Sequence, residues 1–187
     1  GVIGEPLEAE AISAAAGLLA EQASEQSLEG AARAIMTTDT FPKWAVAKAG
    51  GVTVTGICKG SGMIAPDMAT MLGYIIIDAS LPADWLQRTL SEVAEKTFNS
   101  ITVDSDTSTS DTVLAFALGG GAAPDNLQAV GAAIFDVCDQ LAEMLARDGE
   151  GASKLITIEV EGAQSDASAK TIGLSIANSP LVKTAVA

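Results

Sequence analysis

The residues best suited to chemistry in this sequence lie between Lys59 and Leu72, where a glycine-rich loop and a proline run directly into an apolar stretch. Thr70 opens that stretch, and only the small Ala69 precedes it. The Thr70 hydroxyl could attack the Ala69 carbonyl, move the acyl group to oxygen and let water release a new amine. That α-amine, with an ordinary pKa of about 8, could serve as the base for its own hydroxyl. The plainer alternative is a threonine that only joins a loop to a strand.

The chain contains no histidine. A Ser-His-Asp or Cys-His arrangement is therefore impossible within this sequence, and so is a His-ligated zinc site. Any nucleophile here needs a lysine, a carboxylate or a free α-amine as its base.

A second polar segment, Asp104 to Ser108, is compatible with an Asp-x-Asp phosphotransferase pair or with the start of a calcium loop. The calcium hypothesis fails because Thr109 and Ala115 occupy the positions that need Gly and Glu. We favour a plain turn in which Asp, Ser and Thr bond the backbone. A turn is also favoured over a phosphate cradle for Gly119-Gly120-Gly121, which lacks the residues of a nucleotide fingerprint.

Hydrophobic periodicity predicts five helices and five strands. The helices fall at 7–23, 28–36, 83–98, 124–147 and 165–178, and the strands at 52–57, 70–79, 101–103, 113–118 and 154–161. Because strands and helices are interspersed, the class is α/β or α+β, with helices layered on a sheet. We predict one domain, or two lobes without a flexible joint.

Composition narrows the class of protein. The 187 residues are 48% hydrophobic with a net charge of −14, so a core is expected and nucleic acid is excluded as a partner. No apolar run is long enough for a membrane span, and no signal peptide is visible. Cys58 and Cys138 are expected as buried, reduced thiols, and we predict a cytoplasmic protein. The start at Gly1 without methionine suggests a fragment.

Six sequence blocks, in the same order, resemble one known family. They are GVIGEPL (1–7), MTTDT (36–40), KGSGMIAPDMATML (59–72), ITVDSDTSTSDT (101–112), DGEGASK (148–154) and SPLVKTA (179–185). Together they are similar to the arginine-biosynthesis ornithine acetyltransferases, also called glutamate N-acetyltransferases. The resemblance implies a layered αββα-like sandwich for residues 1–187.

The resemblance also implies an activity. The precursor would cleave itself between Ala69 and Thr70, so that 1–69 ends the alpha chain and 70–187 begins the beta chain. Thr70 would take the acetyl group from N-acetylornithine as an acyl-enzyme and pass it to glutamate. Acetyl-CoA is a possible further donor, no cofactor is expected, and the two chains would assemble as a heterotetramer.

By the same resemblance, the oxyanion hole includes Gly1, and the substrate-binding positions are Thr37, Lys59, Thr70 and Glu150. Lys59 can pair with a substrate carboxylate and Glu150 with an ammonium group. Two departures from the family pattern, Ser105 for Gly and Ser110 for Asn, are small and polar. The family continues beyond the end of this chain with further substrate contacts, so we predict that this fragment alone is inactive.

Two rival functions remain open. One is a related self-processing aminopeptidase, which the blocks at 36–40 and 148–154 fit less well. The other is a non-catalytic binding or structural domain, which predicts an uncleaved chain, a buried Thr70 and no pocket that joins Lys59 to Glu150.

Overall fold

The computed structural model describes residues 4, 6–24, 27–64, 71–106, 108, 110–120 and 123–187. In chain order its elements are α1 (Ala9–Gln22), α2 (Leu28–Ala34), β1 (Lys43–Ala49), β2 (Val52–Lys59), β3 (Leu72–Ile77), α3 (Ala83–Lys96), a 3₁₀ turn (Phe98–Ser100), β4 (Thr112–Ala117), α4 (Leu127–Arg147), α5 (Asp166–Ala177) and α6 (Pro180–Val186). The mixed α/β class is confirmed.

The four strands form one sheet in the order β1-β2-β3-β4. The pairs β1–β2 and β2–β3 are antiparallel, whereas β3 and β4 are parallel. A parallel pair needs a crossover connection, and α3 supplies it. The β1 strand was not predicted from the sequence.

The core lies between one face of the sheet and α4. The helix predicted at 124–147 is confirmed as α4, and its apolar side chains Val130, Ile134, Val137, Leu141 and Leu145 form a buried stripe. They pack with the inward side chains of the strands, such as Val54, Ile75 and Ile77. The helix begins with a side-chain cap, in which Asn126 accepts a hydrogen bond from the Ala129 N–H. This packing holds the sheet rigidly, and the sheet in turn supports the loops that connect its strands.

The opposite face of the sheet is apolar and exposed. Its large hydrophobic side chains include Trp44, Val46, Ile76, Leu114 and Phe116, each between 37% and 47% exposed. A layered sandwich would cover this face with a second sheet. The residues that the structure describes contain one sheet, so this second layer stays an expectation from the resemblance.

Two predicted strands are wrong. Residues 101–103 form no strand, and Val103 instead donates one backbone hydrogen bond to the Ile64 carbonyl at 2.6 Å. Residues 154–161 are not assigned as a strand, because they share no backbone hydrogen bonds with another described segment. Alternating hydrophobic residues indicate which side chains face a packed layer. A segment forms a strand only when a neighbouring strand shares its backbone hydrogen bonds.

The predicted helices are confirmed, with two qualifications. The α1 helix buries none of its side chains in the described chain, although its sequence is amphipathic. Pro180 follows the end of α5 and occupies the first turn of α6, a helix that was not predicted.

Candidate functional site

Lys59, predicted to bind substrate, lies at the last position of β2. Its Cα partner on the neighbouring strand is Leu72, the first residue of β3, and Leu72 is in turn paired with Thr112 of β4. The Lys59 residue is only 9% exposed. Because Leu72 follows Thr70 by two positions, Lys59 lies beside the part of the chain that comes directly after the predicted nucleophile.

Asp111 lies at the same end of the sheet. Its Oδ1 accepts a hydrogen bond from the Met71 N–H at 2.8 Å, while its Oδ2 is buried without a partner among the described residues. Burial raises the Asp111 pKa to about 6, against the opposing effects of the Met71 hydrogen bond and the Lys59 charge. A carboxylate therefore contacts the backbone N–H of Met71, the residue that follows Thr70 in the sequence.

Thr37 is held next to this strand end through Asp39. The two carboxylate oxygens of Asp39 accept from the Thr37 N–H at 3.1 Å and from the Gly60 N–H at 2.7 Å. Burial alone would raise the Asp39 pKa, but the hydrogen bonds donated by Gly60, Lys43 and Thr37 hold it below its ordinary value. A charged Asp39 thus ties the exposed Thr37 to the residue that follows Lys59.

Three buried charges connect this region to the end of α4. The Lys43 ammonium lies 2.7 Å from Asp39 Oδ1 and 2.5 Å from Asp148 Oδ2. We call Lys43, Asp39 and Asp148 the Lys43 cluster. Asp148 also accepts from the N–H of Thr40 at 3.0 Å and from the Thr40 hydroxyl.

Glu150, another predicted substrate-binding residue, follows Asp148 by two positions. Its N–H donates to the Ser61 carbonyl at 2.6 Å. The hydroxyls of Ser61 and Thr38 are also hydrogen-bonded, at 2.6 Å. Glu150 is therefore fixed to the same loop, beginning at Gly60, that Asp39 holds.

In the described part of the polar segment, residues 104–106 and 108, the chain bends at Asp104 and Ser105, in agreement with the favoured turn. The Asp104 carboxylate accepts from the N–H groups of Met63, Ile64 and Asp106 at 2.6, 3.0 and 3.2 Å. Its oxygens thus stabilise the loop that precedes Thr70. Within the described ranges no cluster of His, Cys, Asp or Glu has the arrangement of a metal site.

The surroundings of Ser105 show how a serine is accommodated where the family pattern has glycine. Its φ of 69° lies in the left-handed region, where glycine is favoured. The Ser105 hydroxyl donates to Asn178 Oδ1 at 2.9 Å, and Thr102 donates to the same atom at 2.8 Å. This hydrogen bond offsets part of the backbone strain that a side chain brings here.

A cleft of about 670 Å³ opens beside Glu150, between residues 100–103, residues 150–160 and the last two helices. Glu150 lines it, whereas Thr37 and Lys59 do not.

Cys58 and Cys138 are both free and buried, as expected. Burial raises the Cys138 pKa to about 12, so this thiol stays protonated.

The structure thus links the segments that carry Thr37, Lys59 and Glu150, through the Asp39 carboxylate and the Ser61 carbonyl. Thr70, its cleavage partner Ala69, and Gly1 lie outside the described residues.

Sequence reasoning missed Asp39, Lys43, Asp111 and Asp148. Three of these are acidic residues inside the matched blocks, and that position was the signal that could have found them. Lys43 stands outside the blocks and gave no such signal.

The fold and this arrangement define an α/β protein whose ionic and hydrogen-bonding groups converge where β2 ends and β3 begins. The chain belongs to the ArgJ family, whose family model matches residues 1–187. No helix in the described part of the chain is both long and apolar enough to cross a membrane.

Similar proteins carry the same family name. The chain is 53% identical over 201 residues to the arginine biosynthesis bifunctional protein ArgJ of Nitrobacter winogradskyi, and 54% identical to that of Brucella suis. Each match covers 100% of this chain and 48% or 49% of the relative, so the chain spans about half the length of these relatives.

A solved structure also matches. The crystal structure of the arginine biosynthesis bifunctional protein from Bacillus halodurans is 41% identical, with a TM-score of 0.56 over 60% of this chain and 56% of the other. Each of these proteins is named for a role in arginine biosynthesis.

Proposed function

We propose that the full-length protein transfers an acetyl group from N-acetylornithine to glutamate through an acyl-enzyme on Thr70, in arginine biosynthesis. The observation that carries the proposal is the convergence of the segments bearing Thr37, Lys59 and Glu150 on the start of β3, in a chain of the ArgJ family. This strand begins at Leu72, two positions after Thr70.

In the first half-reaction, the Thr70 oxygen attacks the acetyl carbonyl carbon and gives up its proton to the Thr70 α-amine. The tetrahedral intermediate collapses as the carbon–nitrogen bond breaks, and the proton passes to the leaving amine of ornithine. Acetyl-Thr70 remains. The oxyanion is stabilised by preorganised donors, among which we propose the Gly1 N–H; each such donor contributes about 3 to 4 kcal/mol.

In the second half-reaction, the amine of glutamate attacks acetyl-Thr70 and loses a proton to the α-amine. The ester bond then breaks, the Thr70 oxygen regains a proton, and N-acetylglutamate leaves. The Lys59 ammonium pairs with the α-carboxylate that donor and acceptor share. Glu150 pairs with the ornithine ammonium. Donor and acceptor differ mainly at the end of the side chain, so one site serves both halves.

The α-amine exists only after the bond between Ala69 and Thr70 is cut. We therefore propose that this cut is autocatalytic and that the alpha and beta chains stay together as a heterotetramer in the cytoplasm. Acetyl-CoA is proposed as an alternative donor, with no resident cofactor. Since the chain spans about half of its relatives, we propose that it is inactive alone.

The test is acetyl exchange in the full-length enzyme. Purified protein is incubated with N-acetylornithine and isotopically labelled glutamate, and labelled N-acetylglutamate is measured by mass spectrometry. The proposal expects labelled product that depends on N-acetylornithine and is lost in Thr70→Ala. Wild-type protein that makes no labelled product, or a Thr70→Ala protein that matches it, would refute the proposal.

A further inference from the structure

The Lys43 cluster is the one group of charges buried in the interior among the described residues. The side chains of Lys43 and Asp39 are 0% exposed and that of Asp148 is 2% exposed. The other described ion pairs each have at least one partner more than half exposed. A buried cluster of this kind needs an explanation beyond surface charge.

Stability does not supply that explanation. Charges lose their hydration when they are buried, and replacing a buried ion pair with apolar side chains of similar volume is often neutral or stabilising. Lys43 lies on β1 opposite Cys58, which belongs to the apolar core. What an apolar residue cannot do is hold two carboxylates at fixed positions.

The two carboxylates are also the anchors of the three site segments. Asp39 accepts from Thr37 and Gly60, and so orients the segment of Thr37 and the loop that follows Lys59. Asp148 accepts from Thr40 and leads directly into the Glu150 loop. Without the ammonium between them, the two carboxylates would repel each other and separate these anchors.

We propose that Lys43 is a positioning residue, whose ammonium holds Asp39 and Asp148 together and thereby fixes Thr37, Lys59 and Glu150 in one binding geometry. Lys43 lies beneath the loops, with its ammonium 4.9 Å from the centroid of the Phe41 ring, and is inaccessible to substrate. The inference rests on the proposed function for the roles of the three residues, but not for the geometry itself.

Two readouts on the full-length protein test the proposal in Lys43→Met. Hydrogen–deuterium exchange should become faster in segments 37–40, 59–61 and 148–150 together. The kcat/KM of acetyl exchange should fall by roughly one to two orders of magnitude, mainly through KM, because misplacement by about 1 Å can cost a factor of about 100. Lys43→Arg, which keeps the charge, should recover part of both effects.

Val130→Ala is the matched control, because it creates a cavity at the opposite end of α4 and lowers the melting temperature without touching the cluster. Val130→Ala should leave both the hydrogen-exchange rates of the three segments and the KM unchanged. If Lys43→Met does not fold, Thr40→Val removes one hydroxyl donor to Asp148, and should speed exchange in 148–150 and raise KM severalfold.

The outcomes separate the two proposals. Wild-type hydrogen-exchange rates in all three segments of Lys43→Met would overturn the positioning role. Where that variant does not fold, a wild-type hydrogen-exchange rate in segment 148–150 of Thr40→Val would do the same. So would the same KM rise in Val130→Ala. A wild-type enzyme without acetyl exchange would refute the proposed function, while the hydrogen-exchange readout would still test Lys43.

Discussion

Gly62 lies directly against the Glu150 carboxylate. A Cβ atom built on Gly62 would be 2.9 Å from Glu150 Oε2, closer than such atoms approach in proteins. The atom it would meet is the far end of a flexible side chain, so the carboxylate can move aside at little cost. The absence of a side chain at position 62 therefore sets where the Glu150 charge can lie.

Gly62→Ala should consequently impair substrate binding more than folding. We expect the KM for N-acetylornithine in the full-length enzyme to rise by roughly tenfold or more, since a hydrogen bond to a charged group contributes about 1.5–3 kcal/mol. The melting temperature should stay close to that of the wild type. Gly30→Ala, with no atom within 4 Å of its added Cβ, should leave KM unchanged.

A double variant sharpens this prediction. In Glu150→Ala the carboxylate is gone, so the methyl group that Gly62→Ala introduces has nothing to displace. Adding Gly62→Ala should therefore cause no further rise in KM. Additive losses in the double variant would show that Gly62→Ala acts by another route.

Gly56 is expected to be essential for packing of the sheet on α4. Its added Cβ would lie 2.6 Å from Val137 Cγ1 and 2.8 Å from Leu141 Cδ1, both on the buried face of the helix. Overpacking of this kind costs about 1–3 kcal/mol, so Gly56→Ala should lower the melting temperature.

Gly131→Ala is the matched change on α4. Its added Cβ would make only ordinary contacts, 3.8 Å from Thr89 and Trp85. Because Gly costs about 1 kcal/mol relative to Ala in a helix interior, this variant should hold or raise the melting temperature. A Gly56→Ala protein as stable as Gly131→Ala would contradict the packing described here.

Ser105 offers a test of strain against hydrogen bonding. Ser105→Gly loses the bond to Asn178 but relieves a left-handed backbone, which costs a residue with a side chain about 1–2 kcal/mol. We expect it to stay near wild-type stability. Ser105→Ala loses the bond and keeps the strain, so its free energy of unfolding should be lower than that of Ser105→Gly by about 1 kcal/mol. Equal stabilities for Ala and Gly would argue against strain at this position.

Asp111 should make stability depend on pH in an unusual direction. Its pKa is raised from 3.8 to about 6 in the folded protein, so the folded state binds the proton more tightly than the unfolded state does. The contribution of Asp111 to the free energy of unfolding is therefore fully present below pH 3.8 and is lost as pH rises through about 6.

Asp111→Asn tests this pH dependence, because the amide oxygen can still accept from the Met71 N–H. The melting-temperature difference between variant and wild type should shift in favour of Asn between pH 4 and pH 7. A difference that does not change with pH would show that Asp111 does not bind its proton more tightly on folding.

Much of the fold was predictable from local patterns, because periodicity reports burial. The α4 stripe from Val130 to Leu145 is an example. The pattern could not show which segments pair: the 154–161 segment alternates without forming a strand, and β1 was missed. Likewise, the family resemblance pointed to Lys59 and Glu150, but the role of Lys43 depends on contacts with Asp148, 105 positions away, which a local pattern does not encode.

The central claim is that Thr70 carries the acetyl group, and trapping the acyl-enzyme tests it most directly. Full-length protein is incubated with N-acetylornithine without glutamate, quenched in acid, digested and examined by mass spectrometry. The account predicts a peptide that begins at Thr70, is heavier by one acetyl group and loses that group when glutamate is added before quenching. Acetylation at another residue, or a chain still intact between Ala69 and Thr70 in active enzyme, would contradict it.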